Sequence, residues 1–538
     1  MKRILATCFF IALCAGWSVA VIVGFVGNAR AQGPAQASPS LKLFFIGRRR
    51  GNLEPCGCKS RQQSGLQYEA EIYERVAGAA ALRLDAGEWT NVEIEPASVD
   101  AVKTRYLLRA LKLLHYDAVN VGFADVQMSK DYTKSLIEKS LQGGPPLISA
   151  NIFLKDQPDR LAFAAYRIIK RTLADGRTIT IGITGATSFR TAGSPVIPIR
   201  ALAKAGAGHA PASTPPDSAE RDEEKLTRQE TSGYLIKPAR DGLGPVVAEL
   251  RPKVNLLVVL YAGSTTSASA LAKALPQIDC LIANGGFLES RLAAAKEGAV
   301  QMLGVHNYLG REVGLATLRY GSDKKWSLAG DPQYIGVNKT GQPSKTMVDL
   351  IGAFKKETRA ISVKLPGPGV KQVYNGARPC LPCHRAIYRD WEETAHARAF
   401  QILVDRGQQF NPECVKCHVT GYAVANGFYS VNHGPSQSMI NVQCEACHGP
   451  SKEHAQIQVM LLARAKKGLK PEEYKQMVER AKAILPKKAV PEPLCTQCHT
   501  PENDDRFVYA QKILKVSHRG ALAGKKGKEK GVARFNAR

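Results

Sequence analysis

Cys380-Leu-Pro-Cys383-His384, Cys414-Val-Lys-Cys417-His418, Cys444-Glu-Ala-Cys447-His448 and Cys495-Thr-Gln-Cys498-His499 repeat one pattern, Cys-x-x-Cys-His, four times. Two thiols three positions apart reach the two vinyl groups of one porphyrin, and the adjacent imidazole then lies under the iron as proximal ligand. One copy would leave a structural zinc pair or a chance match open. Four copies, each with its histidine in place, point to four covalently attached haem c groups. Four porphyrins on about 150 residues must form much of the core of that region, and neighbouring rings then lie close enough for fast electron hopping.

Working outward, the same region holds four further histidines: His396, His433, His454 and His518. A second imidazole makes bis-His iron, whereas the few Met residues lack comparable placement. His396 follows His384 by 12 positions and His454 follows His448 by 6. On one continuous helix such close neighbours cannot bracket an iron from opposite sides of a ring. Each distal histidine is therefore expected to serve another motif's haem. His433, in Asn432-His433-Gly434-Pro435, decides the haem on His418. If it ligates, all four irons are closed and the protein is a carrier. If it does not, one iron keeps an open face.

Met1 to Ala31 reads as an export signal, with Lys2 and Arg3 before an apolar run and Ala29-Arg30-Ala31 as a cleavage site. The run is nearly long enough to span a bilayer, so an uncleaved anchor is the alternative. Haem c attachment takes place outside the cytoplasm, and the two observations agree on the periplasm. The net charge is +27. Export argues against a nucleic-acid partner. The charge suits acidic redox proteins or an anionic membrane surface, or serves solubility. Of 13 cysteines, only Cys56, Cys58 and Cys280 lie outside the signal and the haem motifs, which excludes a disulfide scaffold. An oxidising compartment permits a Cys56–Cys58 or Cys58–Cys280 bridge, and the sequence leaves the connectivity open.

Residues 32–40 form a linker, and from residue 41 strands and helices alternate. Apolar runs at 41–46, 81–84, 118–121, 147–150, 178–184, 254–261 and 279–283 predict strands buried on both faces. Helical patterns lie at 67–77, 98–114, 130–142 and 266–274. The alternation predicts a layered α/β domain over 41–330. Residues 203–232, Ala/Pro-rich and then charged, read as a flexible insertion, with His209 solvated. Residues 331–372 read as a connector with a helix at 347–358, 373–520 as the haem domain with a helical insertion at 455–490, and 521–538 as a basic tail.

Leu53-Glu54-Pro55, Leu84-Asp85-Ala86-Gly87, Tyr116-Asp117-Ala118-Val119-Asn120-Val121-Gly122, Ser149-Ala150-Asn151 and Ile181-Gly182-Ile183-Thr184-Gly185 resemble the 5′-nucleotidase-like metallophosphoesterases. The resemblance implies a four-layered αββα fold and a two-metal site that activates water for phosphate ester hydrolysis. The metal-binding positions are altered here. Arg48-Arg49-Arg50 stands where the family has Asp-x-His, and Glu88 where it has its bridging Asp. Gly122-Phe123-Ala124-Asp125, Tyr261-Ala262 and Asn284-Gly285-Gly286-Phe287 replace its later ligands. Glu88 and Asp125 alone remain as carboxylates, and two dications cannot be held by two carboxylates beside arginines. The expectation is a scaffold without phosphoesterase activity. The arginines are read as a solvated turn or an anion site.

The C-terminal motifs, with Trp391-x-x-Thr394-Ala395-His396-Ala397, His418-Val419-Thr420-Gly421-Tyr422, Gly427-Phe428 and Asn441-Val442-Gln443-Cys444-Glu445-Ala446-Cys447-His448-Gly449-Pro450, resemble the tetrahaem cytochrome c-554 family. The resemblance implies a mainly α, haem-packed domain, with His396 on the third haem, His454 on the first and His518 on the fourth. It also implies that the second haem can be five-coordinate. The leading expectation is electron transfer between redox partners. An oxidoreductase acting on a small nitrogen or sulfur compound at the second haem and a metal-dependent phosphohydrolase are the alternatives.

Overall fold

The computed structural model describes residues 39–55, 63–76, 81–90, 97–127, 146–189, 229–231, 233–285, 294–305, 309–339, 341–360, 374–424, 426–465, 470–484, 490–500, 503–504 and 506–518. The expected signal, the helix at 130–142, most of the insertion at 203–232, Cys56, Cys58, Gly286-Phe287 and the basic tail lie outside these residues.

Strands β1 (Ser40–Ile46), β2 (Leu82–Asp85), β3 (Ala118–Asn120) and β4 (Leu147–Ile148) run parallel, with helices α1 (Leu66–Val76) and α2 (Ala97–Leu113) between them in the chain. A small antiparallel sheet of β5 (Ile152–Leu154), β6 (Gln157–Leu161), β9 (Gln229–Glu230) and β10 (Tyr234–Ile236) stands apart. The second large sheet has β8 (Thr178–Thr187), β11 (Leu256–Ala262), β12 (Cys280–Ala283) and β14 (Val300–Gly304) in parallel. Its edges are the antiparallel β7 (Tyr166–Thr172) and β13 (Ala294–Glu297). Helix α3 (Ala239–Leu250) precedes β11, and α4 (Thr265–Ala274) starts at an N-cap where Ser264 accepts from the Ser267 N–H at 3.0 Å. The chain then returns to the first sheet as β15 (Glu312–Tyr320), antiparallel to β1, with β16 (Trp326–Leu328) and β17 (Gln333–Gly336) beside it.

Strand alternation sets the layers. Leu41, Leu43 and Phe45 on β1 meet Ile181, Ile183, Leu256, Val258 and Leu260 from the other sheet in one buried cluster. The opposite faces, Phe44 and Ile46, pack with Ile72 and Tyr73 of α1 and Leu107 and Leu111 of α2. Leu257, Val259 and Tyr261 turn the other way, onto Leu243 and Val247 of α3 and Leu271 of α4. The order is α, β, β, α in four layers. Burial of each such Leu, Ile or Phe stabilises by about 1.5–3 kcal/mol, which is why the long apolar runs dominate the fold.

Residues 331–358 are part of this domain rather than a connector. Helix α5 (Lys345–Thr358) buries Met347, Ile351 and Phe354 at helical spacing, and Met347 and Phe354 join the cluster under α1 and α2. Tyr106 on α2 donates to Glu357 at 3.1 Å, and Arg105 pairs with the same carboxylate.

The C-terminal region is built of short helices: α6 (Arg385–Glu392), α7 (Ala399–Asp405), α8 (Pro412–His418), α9 (Cys444–His448), α10 (Lys452–Ala465), α11 (Pro471–Ala483), α12 (Glu492–Cys495) and α13 (Tyr509–Lys512). Phe400, Leu403, Val415, Val419, Tyr422, Phe428 and Met439 form its main apolar cluster. Helices α10 and α11 pair through Ile457, Leu461 and Ala481, with Arg480 bound to Glu453 at 2.6 Å. Among the described residues no helix is long and apolar enough to cross a membrane.

Candidate functional site

The motifs fold as single helical turns. The His384 N–H bonds to Cys380 O and the His499 N–H to Cys495 O, each at 2.9 Å, while Cys414–His418 and Cys444–His448 lie within α8 and α9. One turn puts both sulfurs and the imidazole on adjoining faces. None of the eight motif cysteines is in a disulfide. The motifs meet in pairs across the chain. Cys380 of the first lies close enough to Cys444 of the third, and Cys417 of the second to Cys498 of the fourth, for each pair of thiols to shift one another's pKa.

Polar bonds lock these turns together. Glu445 is buried and accepts from the Asn375, Gly376 and Ser451 N–H groups at 2.9, 2.7 and 2.8 Å, and from the Ser451 hydroxyl. It thereby ties the third motif to the loop ahead of Cys380. Gln443 accepts from the Ala377 N–H at 2.5 Å, and its own N–H donates to Thr420 Oγ1 at 2.9 Å, two residues past His418. The indole of Trp391 donates to Val442 O at 2.9 Å, and the Val442 N–H donates to His396 O at 3.1 Å. Sequence reasoning did not single out Glu445 and Gln443 for this role. The signal was their polarity inside and beside Cys-x-x-Cys-His.

The imidazoles are set for ligation. His418 Nδ1 lies 2.5 Å from Ala399 O, which only accepts, so Nδ1 carries the proton and Nε2 keeps its lone pair. Burial lowers the His418 pKa, and the nearby Arg406 and His499 act in the same direction. His499 Nδ1 is 2.9 Å from Asp504 Oδ2, and Phe507 stacks on the ring at 4.6 Å. His454 Nδ1 is buried without a hydrogen-bond partner, an orphan that a metal ligand explains. His433 Nδ1 is 2.9 Å from Ser436 Oγ. The distal candidates His396 and His518 both lie at the third and fourth motifs, with ring centroids 6.0 Å from His499 and 6.3 Å from His448 respectively. These contacts run crosswise to the pairing implied by the resemblance. Cysteines outside disulfides within single-turn motifs and a His418 ring whose Nδ1 is bonded, leaving Nε2 for a ligand role, fit covalently bound haem.

The strand ends of the other domain meet at a second place. There the Arg48 N–H bonds to Gly87 O at 2.8 Å, Asn284 Nδ2 lies 3.4 Å from Gly87 O, and Gly122 abuts Glu88 and Ala262. Arg48, Arg50 and Glu88 all adopt left-handed backbone, which L-residues seldom do. The arginines are neither a solvated turn nor an open anion site. Arg49, 1% exposed, grips Glu69 with both terminal nitrogens at 2.5 and 2.7 Å, and its Nε donates to Asp85 at 2.8 Å. Tyr116 lies 2.5 Å from the same guanidinium. Burial opposes the Arg49 charge, but Glu69, Tyr116 and Asp85 outweigh it and raise its pKa. Burial likewise works against ionised Glu69, and Arg49 prevails, lowering its pKa.

Arg50 pairs with Glu88 at 3.2 Å and Arg48 approaches the same carboxylate at 3.8 Å. Asp125 accepts from the Gly122, Glu88 and Thr90 N–H groups at 2.7, 2.9 and 2.8 Å, yet burial still pushes its pKa up to about 7. Both remaining carboxylates are thus committed inside the protein. Among the described residues no group of three or more His, Cys, Asp or Glu is placed to hold a metal. Cys280 is buried as a free thiol in the apolar layer between the sheets, not at the cleft rim, and burial raises its pKa.

Chemistry and order therefore agree on a c-type cytochrome character for the C-terminal region. Residues 379–449 match the model of the family described as cytochrome c554 and c-prime. Cytochrome c-554 of Nitrosomonas europaea is 31% identical over 94 residues, which cover 15% of this chain and 39% of that protein. The chain thus spans well under half of this relative. The solved reduced cytochrome c554 from the same organism is similar at TM-score 0.21 and 21% identity, covering 27% of this chain and 83% of the other. The calcineurin-like phosphoesterase YfkN from Bacillus subtilis is similar at TM-score 0.42 and 14% identity, covering 60% of this chain and 98% of that one. The 5′-nucleotidase precursor from Thermus thermophilus gives a TM-score of 0.43 and 16% identity, with 69% of this chain and 68% of that one covered.

Proposed function

We propose that the protein is a periplasmic tetrahaem c-type cytochrome that transfers electrons between redox partners, and that its N-terminal domain is a scaffold without phosphoesterase activity. The observation that carries this reading is the pairwise meeting of the four motifs, Cys380 with Cys444 and Cys417 with Cys498. Bound haem supplies one-electron chemistry. In this reading the bond to Ala399 leaves Nε2 of His418 for the iron, Asp504 anchors His499, and His396, His454 and His518 serve as distal ligands. The basic surface suits acidic partners or an anionic membrane.

A second reading is an oxidoreductase with an open face on the His418 haem. His433 bonds through Nδ1 to Ser436 three residues on and stands edge-on to Tyr429 at 5.9 Å, and this reading requires that its Nε2 does not reach the His418 haem. The buried Tyr429 hydroxyl beside it lacks a hydrogen-bond partner. Electron paramagnetic resonance of the oxidised protein separates the two readings. Low-spin bis-His signals alone fit the carrier, and a high-spin ferric signal from one haem selects the open site. Two non-haem Mn, Zn or Fe ions per chain would instead restore the phosphohydrolase.

A further inference from the structure

Glu54, in the Leu53-Glu54-Pro55 stretch that follows β1, has partners on α5 and in the cytochrome region. Its Oε1 lies 2.5 Å from Lys355 Nζ on α5, and its other oxygen accepts from the Gln408 side-chain amide. Glu54 is largely buried by these partners, at 16% side-chain exposure. Gln408 in turn reaches the second haem motif. Its Oε1 accepts from Asn411 Nδ2 at 3.0 Å and lies 3.8 Å from Cys414 Sγ. The Asn411 carbonyl takes the Cys414 and Val415 N–H groups at 3.0 and 2.9 Å, so it starts the helix that carries Cys414, Cys417 and His418.

Other contacts fall on the same flanks. The Arg359 guanidinium stands over the Phe410 ring at 5.5 Å, and Asn432 donates to Arg359 O at 3.1 Å, one residue before His433. Arg406, whose charge acts on His418, lies within 3.5 Å of Lys355 through its carbonyl.

We propose that the phosphoesterase-like domain forms a wall of the second haem centre, and that Glu54 is the positioning residue through which it sets that centre's helix. The inference rests on the haem reading of the second motif. A domain stripped of its own metal site thereby acquires a use, which is to fix the environment of one haem among four. Glu54 touches neither iron nor porphyrin, and it acts through Gln408 and Asn411.

The test is a redox titration of the full haem-loaded protein, followed by electron paramagnetic resonance, for wild type, Glu54→Ala, Glu54→Gln and Lys355→Met. A His418→Met variant identifies the signal of the second haem. Glu54→Ala is expected to shift that signal and its midpoint while the other three stay in place. Glu54→Gln keeps an acceptor for Gln408 and is expected to give a smaller shift. Hydrogen exchange in residues 406–418 is expected to accelerate in Glu54→Ala, a readout independent of the His418 variant. Unchanged spectra and exchange, or four signals that move together, would overturn the proposal. A proteolytic peptide bearing Cys414 and Cys417 without covalent porphyrin would instead overturn the haem reading beneath it.

Discussion

Among the described residues the N-terminal domain buries 28 apolar residues in one cluster at its first sheet, whereas the main cluster of the C-terminal region has seven. The polar groups show the reverse. In the N-terminal domain the two carboxylates expected as remaining metal ligands have partners inside the protein: Glu88 pairs with Arg48 and Arg50, and Asp125 accepts from backbone N–H groups. In the C-terminal region the bonds of Glu445 and Gln443 tie the third motif to the loop ahead of the first. One half has a large apolar core and, among the described residues, no cluster placed to hold a metal. The other has its ligands and too little core. A fold that fills its own interior tolerates the loss of a cofactor, and one that relies on porphyrin does not.

The largest expected effect follows from that difference. Protein made without haem attachment should lose ordered structure in the cytochrome region, while a fragment ending near Thr358 resists proteolysis. Equal resistance of both regions would break the comparison.

Next in size is the buried guanidinium. Arg49→Met leaves Glu69 and Asp85 as unpaired buried carboxylates, which costs about 3–5 kcal/mol. Denaturant unfolding of the N-terminal domain should show that loss, and Arg49→Met with Glu69→Leu should recover part of it. An unchanged midpoint would mean that the network adds nothing to the stability of this domain.

The smallest effect is a pH dependence. Burial holds the Asp125 pKa near 7 in the fold, against an ordinary 3.8. The folded state therefore binds this proton more tightly than the unfolded chain. The resulting stabilisation is full below about pH 4 and is lost as pH rises through 7. Stability of the wild type should fall over that window more than that of Asp125→Asn, as measured by thermal unfolding.

Much of this contrast was legible in the residues. The long apolar runs at 41–46, 178–184 and 254–261 became β1, β8 and β11, because strands buried on both faces are written as continuous hydrophobic sequence. The edge strand β7 was not legible because it carries Arg167, Lys170 and Arg171 among its apolar residues and is only partly buried, and β17 because a Pro/Gly-rich stretch after it suggested a linker, whereas the helix expected at 347–358 is α5. At the sites, ligand type was plain from Cys-x-x-Cys-His spacing. The fate of the arginines was not, since nothing local in Arg48-Arg49-Arg50 reveals that Glu69 and Asp85, 20 and 36 positions on, close around the middle one. The crosswise approach of His396 to His499 and of His518 to His448 is likewise a product of tertiary placement.

The central claim is that the four motifs form one haem-bearing unit, and covalent haem per chain tests it most directly. Quantifying c-type haem against protein in the purified holoprotein, with the intact mass as check, should give four. Three or fewer, or zinc in place of porphyrin at any Cys-x-x-Cys-His motif, would contradict it.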